Sequence, residues 1–121
     1  MRRIITMLLF FMTFSILINE TQADEKDIKD SVRIEAKINN CDPNEYETIM
    51  LDWHKSFKLS SNSLSSVMRR VRVTNSKLKG NQVLQVLKAS RPAIFNLYKS
   101  GNLELTAVWN IVDINIAAAK N

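Results

Sequence analysis

The sequence is poor in the residues that form tight turns, cross-links and metal sites. Its 121 residues include two glycines, two prolines, one cysteine and one histidine. Scarce glycine and proline argue against turn-rich β-sandwiches and long flexible linkers. Because Cys41 is the single cysteine, no intramolecular disulfide can form and the fold must depend on its hydrophobic core. This composition favours helices over strands.

The longest hydrophobic run lies at the N-terminus and is short for a membrane span. It follows the cationic pair Arg2 and Arg3, and residues 4–18 carry no charge. A helix of that length covers about 22 Å, whereas the hydrocarbon core of a bilayer is roughly 30 Å thick. The run therefore resembles the apolar region of a secretory signal peptide more than a transmembrane helix.

The residues after this run fit a signal-peptidase site. Thr21 and Ala23 occupy the minus-three and minus-one positions, where such an enzyme admits small side chains. We therefore predict a signal peptide over residues 1–23 and one helical domain over residues 24–121, which is long enough for a core without cross-links. The exported protein would be periplasmic in a bacterium and secreted, hence extracellular, in a eukaryote. An uncleaved N-terminal anchor is the alternative.

Two amphipathic helices are predicted at the start of this domain. Apolar residues four apart predict the first over residues 25–39, with Ile34 and Ile38 widening its apolar stripe. Asp42 is placed to cap a second helix that begins at Pro43, and a glutamate three residues after Asp42 can complete a capping box. The predicted core face of the second helix is formed by Tyr46, Ile49, Met50, Trp53 and Phe57.

The middle of the chain allows two interpretations. Serines in residues 60–63 can cap a third helix that ends at Gly80. Its inward side chains would be Leu64, Val67, Met68, Val71 and Leu78. Alternatively, the β-branched residues 71–74 form a strand that pairs with residues 83–87.

The C-terminal third predicts further helices. A short fourth helix from Gln82 should stop at Ser90, because the residue before Pro92 avoids helical geometry, and a fifth should run from Pro92 to Gly101. The sequence as a whole thus predicts an all-α, single-domain bundle of about five short helices.

A last helix over residues 103–119 is apolar almost all round. Such a helix is either the centre of the bundle or partly reserved for a partner, most simply a second copy of the chain. If part of this helix is reserved for a partner, Trp109 is the leading candidate for an interface residue.

Charge is distributed unevenly along the chain. Residues 24–53 contain nine acidic and four basic residues, whereas residues 54–100 contain ten basic residues and no acidic one. One interpretation is that acidic and basic helices pack side by side as weak surface pairs. The other is that the surplus positive charge attracts an anionic partner. The predicted partner-binding residues are Lys55, Lys58, Arg69, Arg70, Arg72, Lys77, Lys79 and Trp109.

An acidic protein is the first predicted partner, and an anionic membrane surface or glycan is the alternative. A homodimer would form through the helix over residues 103–119 or through Cys41. Nucleic acid is disfavoured, because residues 58–93 contain no aromatic side chain to stack on bases. Cys41 itself is either a small buried hydrophobe or an exposed thiol whose pKa is lowered by the helix N-terminus.

Catalytic chemistry is not indicated. His54 is the sole histidine, and no serine or cysteine nucleophile has a recognisable base beside it. We therefore predict a protein that is not an enzyme and has no cofactor or metal, a small hydrolase being the least favoured alternative. The predicted function is that of an exported helical binding protein of the inhibitor, chaperone or neutraliser kind.

Overall fold

The computed structural model describes residues 24–74, 78 and 80–120, most of which are helical. Within them the chain forms five α-helices: α1 over residues 24–39, α2 Pro43–Phe57, α3 Ser61–Thr74, α4 Asn81–Lys99 and α5 Leu105–Lys120. The predicted all-α bundle is confirmed. The predicted signal peptide over residues 1–23 lies outside the described residues. Among the helices that are described, none is long and apolar enough to span a bilayer.

Helix α2 begins at Pro43 as predicted. Asp42 is its N-cap, and one carboxylate oxygen accepts a hydrogen bond from the backbone N–H of Asn44 at 3.2 Å. The predicted capping box is not completed, because the carboxylate of Glu45 pairs with Lys88 on α4. A bond between helices has therefore replaced a local one.

Helix α3 resolves the ambiguity in the middle of the chain. Ser60 caps it, accepting the N–H of Ser63 at 3.2 Å, and the predicted inward residues are all buried. The strand interpretation is wrong, because residues 71–74 belong to α3 and residues 83–87 to α4. Val67 and Val71, one helical turn apart, are both fully buried, as a helix allows. The predicted end at Gly80 is also wrong, since the helix ends at Thr74.

Gly80 lies instead at the start of α4. Its φ of +65° is a conformation that side-chain-bearing residues rarely adopt. Its N–H donates to the carbonyl of Asn39 at 2.8 Å, which joins the beginning of α4 to the end of α1.

Helix α4 continues through Pro92. The prediction of two short helices in this region is therefore wrong, because the structure has a single helix there. An interior proline costs a helix about 3 kcal/mol, and burial of each aliphatic side chain contributes roughly 1.5 to 3 kcal/mol. The buried face of α4 runs through the proline, because Ser90 and Ile94 are both fully buried, while Pro92 itself is exposed. The remaining buried residues of this face are Val83, Leu84, Val86 and Leu87. Packing therefore outweighs the cost of the proline.

The predicted helix end at Gly101 is confirmed. Gly101 has a φ of +78°, and its N–H donates to Tyr98 O at 3.1 Å. The N–H of Asn102 donates to Leu97 O at 3.0 Å, so the two bonds form a Schellman motif that ends α4.

Two pairs of helices run parallel, α1 with α3 and α2 with α4. Contacts of α1 with α3 advance together along both helices: Asp24 with Ser61, Ser31 with Ser65, and Glu35 with Arg72. Contacts of α2 with α4 advance likewise: Glu45 with Lys88, Asp52 with Arg91, and Phe57 with Phe95. Helix α5 packs on α3 and α4, and buries Val108, Val112 and Ile116.

Candidate functional site

Folding pairs several cations of the basic segment with carboxylates. Ion pairs connect Arg70 with Asp113, Arg72 with Glu35, Lys88 with Glu45, and Arg91 with Asp52. Three of these carboxylates belong to the acidic segment over residues 24–53. The packing of acidic helices beside basic ones therefore accounts for part of the charge asymmetry.

Two of the predicted partner-binding residues, Arg70 and Trp109, contact each other. Arg70 donates to both oxygens of Asp113 at 2.7 to 3.1 Å, and its guanidinium carbon lies 5.0 Å from the centroid of a Trp109 ring. Trp109 and Asp113 are one turn apart on α5, so one arginine of α3 binds both. This arrangement gives Arg70 and Trp109 a structural role in joining α3 to α5.

Lys55 and Lys58 lie at the C-terminal end of α2 and are exposed. With Asp24 and Glu25 they border a shallow depression, but no carboxylate of the described residues is within 4 Å of either ammonium group. These two lysines are open to solvent, and their role in binding a partner stays a prediction. Lys77 and Lys79 lie outside the described residues.

His54 takes part in the turn that follows α2. Its Nδ1 lies 2.6 Å from the carbonyl oxygen of Leu59, which can only accept, so Nδ1 carries the proton. Within the part of the chain that is described, no three histidine, cysteine, aspartate or glutamate side chains are grouped closely enough to hold a metal ion.

Arg69 differs from its two neighbouring arginines. It is exposed, and no carboxylate of residues 24–74 or 80–120 lies within 4 Å of it. It borders a cavity of about 100 Å³ between α1 and α3. We call this cavity and its rim the α1–α3 groove, which is lined by Ser31, Ile34, Glu35, Ser65, Met68 and Arg69.

Two isoleucines of α1 are exposed, and one of them lies at this groove. Ile34 lines it, and Ile38 follows one helical turn later; their exposed fractions are 60 % and 51 %. The sequence predicts that both widen the apolar stripe of α1, but neither is part of its buried face. Ile28, Val32 and Ala36 already fill the core-facing side, and Ile34 and Ile38 are rotated away from it. That offset in spacing is the signal that sequence reasoning missed.

Glu35 lies at the floor of the groove and is only 7 % exposed. Its Oε1 is 3.7 Å from Arg72, and its Oε2 has no hydrogen-bond partner among the described residues. Burial raises the pKa of Glu35, and the charges of Arg72 and Arg69 oppose that rise. The fully buried hydroxyl of Tyr46 also lacks a partner within the part of the chain that is described, and burial together with Glu35 raises the pKa of this tyrosine.

Cys41 is a free, buried cysteine. Burial and the adjacent Asp42 charge raise the pKa of its thiol. The structure therefore matches the interpretation of Cys41 as a small buried hydrophobe, and an intermolecular disulfide would require the thiol to leave the core.

The outer face of α5, predicted as an alternative dimer surface, is partly apolar. Ile114 is 68 % exposed and Ala118 is also exposed, whereas Ile111 packs partly against the core. The homodimer through this helix stays a prediction.

Comparison of the chain with protein-family models, curated proteins and solved structures found no match. Its function is therefore argued from its charges and its exposed surfaces.

Proposed function

We propose that this protein is an exported helical binding protein that contacts an acidic protein partner through its basic surface, in the manner of an inhibitor, chaperone or neutraliser. The observation that carries the proposal is the uneven charge of the chain, with ten basic and no acidic residues over residues 54–100. Of these, Lys55, Lys58 and Arg69 are exposed and have no ion pair with a described carboxylate.

Unpaired surface cations support binding more than paired ones do. An exposed ion pair contributes only about 0 to 1 kcal/mol to stability, but its two charges cancel at a distance. Cations without such a partner attract an acidic surface over roughly one Debye length, about 8 Å at physiological salt. Binding should therefore weaken as salt is added.

The test immobilises the mature chain and identifies the exported proteins that it retains at low and high salt. A charge-reversed variant combines Lys55→Glu, Lys58→Glu and Arg69→Glu. Its matched control makes the same change of net charge on the exposed lysines of α1, with Lys26→Glu, Lys29→Glu and Lys37→Glu. We expect an acidic protein to be retained in a salt-sensitive way by the wild type and the control only. Equal retention by all three chains would refute the proposal.

A second candidate function is binding to an anionic membrane or envelope surface, and one feature favours it. Phe95 and Tyr98 are partly exposed on α4, and Lys99 Nζ lies 5.5 Å from the Phe95 ring centroid. Aromatic rings beside a lysine are typical of side chains at a lipid interface. Flotation with phosphatidylglycerol vesicles tests it: binding by the wild type that Phe95→Ala weakens would favour this function over the first.

A further inference from the structure

We infer that the α1–α3 groove is where the acidic partner docks, and that the docking segment is an amphipathic helix with apolar side chains on Ile34 and Ile38 and a carboxylate on Arg69. The inference rests on the proposed function and assigns its principal contact to a particular surface.

The apolar part of the site is the pair Ile34 and Ile38. Isolated exposed apolar residues are common on protein surfaces. These two, however, lie one turn apart on the same helix, and each is more than half exposed; Ile34 also lines the cavity. A partner helix places side chains at the same spacing of three or four residues, so it can cover both.

The charged part of the site is Arg69. Arg70 and Arg72 are engaged with Asp113 and Glu35, whereas Arg69 is exposed and has no carboxylate among the described residues within 4 Å. A guanidinium group binds a carboxylate through two parallel hydrogen bonds, which gives direction as well as affinity. An acidic side chain of the partner fits this position.

The acidic residues of α1 give the partner an orientation. Asp30 lies one turn before Ile34, and Asp27 lies nearly two turns before it, both exposed. Because α1 and α3 are parallel, Arg69 lies toward the opposite end of the groove, beside Glu35. The acidic side chains of the partner helix should therefore lie near Arg69, away from Asp27 and Asp30.

The size of the cavity indicates a protein side chain as its occupant. Sites for small-molecule ligands usually measure roughly 300 to 1,000 Å³. The cavity of about 100 Å³ beside Met68 is smaller than that and has room for a single aliphatic side chain. Ser31 and Ser65, whose hydroxyls are 3.1 Å apart, bound the cavity where α1 and α3 meet.

The experiment measures binding of a fluorescent helical peptide by anisotropy. The peptide has leucines at positions i, i+4 and i+7 and glutamates on its flanks, and a second peptide has lysines in place of the glutamates. We expect the mature protein to bind the glutamate peptide and not the lysine peptide. Ile34→Ser with Ile38→Ser should weaken binding about tenfold, as loss of an interface anchor does, and Arg69→Glu should do the same.

Ile114→Ser is the matched control, because it makes the same substitution at an exposed isoleucine on another helix. It should leave the affinity unchanged. Circular dichroism would verify that all variants fold, as substitutions at exposed positions normally allow.

The remaining outcomes separate this inference from the proposed function. If the groove variants bind the glutamate peptide like the wild type while Lys55→Glu with Lys58→Glu abolishes that binding, the peptide uses the basic surface and not the groove. Failure of the glutamate peptide to bind would overturn the inference that the groove is the docking site. Retention of an acidic protein on the column would still support the proposed function. A second copy of the chain in the groove would appear as a dimer by sedimentation, lost in the Ile34→Ser, Ile38→Ser variant, and would also overturn the inference.

Discussion

The α2–α4 contact and the α1–α3 groove are both formed by parallel helices, but they use charge differently. In the α2–α4 contact the cations Lys88 and Arg91 each lie on a carboxylate. Phe57 lies beside Arg91, with its ring centroid 5.9 Å from that of Tyr98 and 5.2 Å from the Arg91 guanidinium carbon. Pairs and aromatic rings together close this contact.

The α1–α3 groove is less completely closed. Its hydrogen bond joins two serines, its ion pair is 3.7 Å long, and Arg69 lies at its edge without a described carboxylate in range. The carboxyl groups differ too: burial raises the pKa of Glu35, whereas hydrogen bonds with Arg91 lower the pKa of Asp52. The register between helices therefore decides which charges stay available to a partner.

The strongest test of the comparison removes the buried aromatic ring of the α2–α4 contact. Phe57→Ala should lower the free energy of unfolding by about 3 to 5 kcal/mol, the usual cost of truncating a buried aromatic. Ile34→Ala in the α1–α3 groove should change it by no more than about 0.5 kcal/mol. Urea denaturation of both variants measures the two values. Similar losses would show that the groove is packed as tightly as the contact.

The next test concerns the helix that forms one side of the α2–α4 contact. Pro92→Ala should raise the free energy of unfolding by about 2 kcal/mol. Removing the proline relieves the roughly 3 kcal/mol that it costs the folded helix. It also gives the unfolded chain more conformational freedom, which offsets about 1 kcal/mol of that gain. Thermal unfolding monitored by circular dichroism measures it, with Asn96→Ala on the same exposed face as the control. A destabilised Pro92→Ala protein would contradict our account of α4.

The buried acid of the groove should have a characteristic pH dependence. Because the pKa of Glu35 is higher in the folded than in the unfolded protein, the carboxylate reduces stability above its folded pKa, and this penalty disappears as the pH falls toward the unfolded value. Glu35→Met should therefore stabilise the protein at pH 7, by about 1 kcal/mol, with a smaller difference at acid pH. A difference that stays constant across pH would disprove the assignment.

The smallest effect is expected at Asp52 in the α2–α4 contact. Its pKa is lowered in the folded protein, so its contribution is present at neutral pH and is lost as the pH falls through the folded pKa. Asp52→Asn should cost less than about 1 kcal/mol at pH 7, because both side chains are partly exposed and screened by salt. Denaturation at low and high salt checks this. A larger loss that salt does not reduce would count against a surface pair.

Local patterns in the sequence predict the helical class and several helix ends. The cap and proline at Asp42 and Pro43, the capping serine Ser60, and Gly101 each act through their own backbone neighbours. Periodicity also identifies the buried face of α2 without error. These features need no knowledge of distant parts of the chain.

The candidate site was only partly predictable. The count of charges identifies Arg69, Arg70 and Arg72 together, because they are adjacent in sequence. It cannot separate them, because their partners lie on other helices: Arg70 pairs with Asp113 of α5 and Arg72 with Glu35 of α1, whereas Arg69 borders the α1–α3 groove. The exposure of Ile34, in contrast, could have been predicted, because Ile34 is offset from the four-residue spacing of Ile28, Val32 and Ala36.

By itself the sequence determined the helices and the imbalance of charge, because both depend on residue type and on neighbours within one helical turn. Only the tertiary structure decided that α4 continues through Pro92, that Arg70 binds Asp113, and that Arg69 and Ile34 lie together at an open groove. Each of these depends on contacts between residues more than 20 positions apart or on burial against another helix. Such contacts form only when the helices pack.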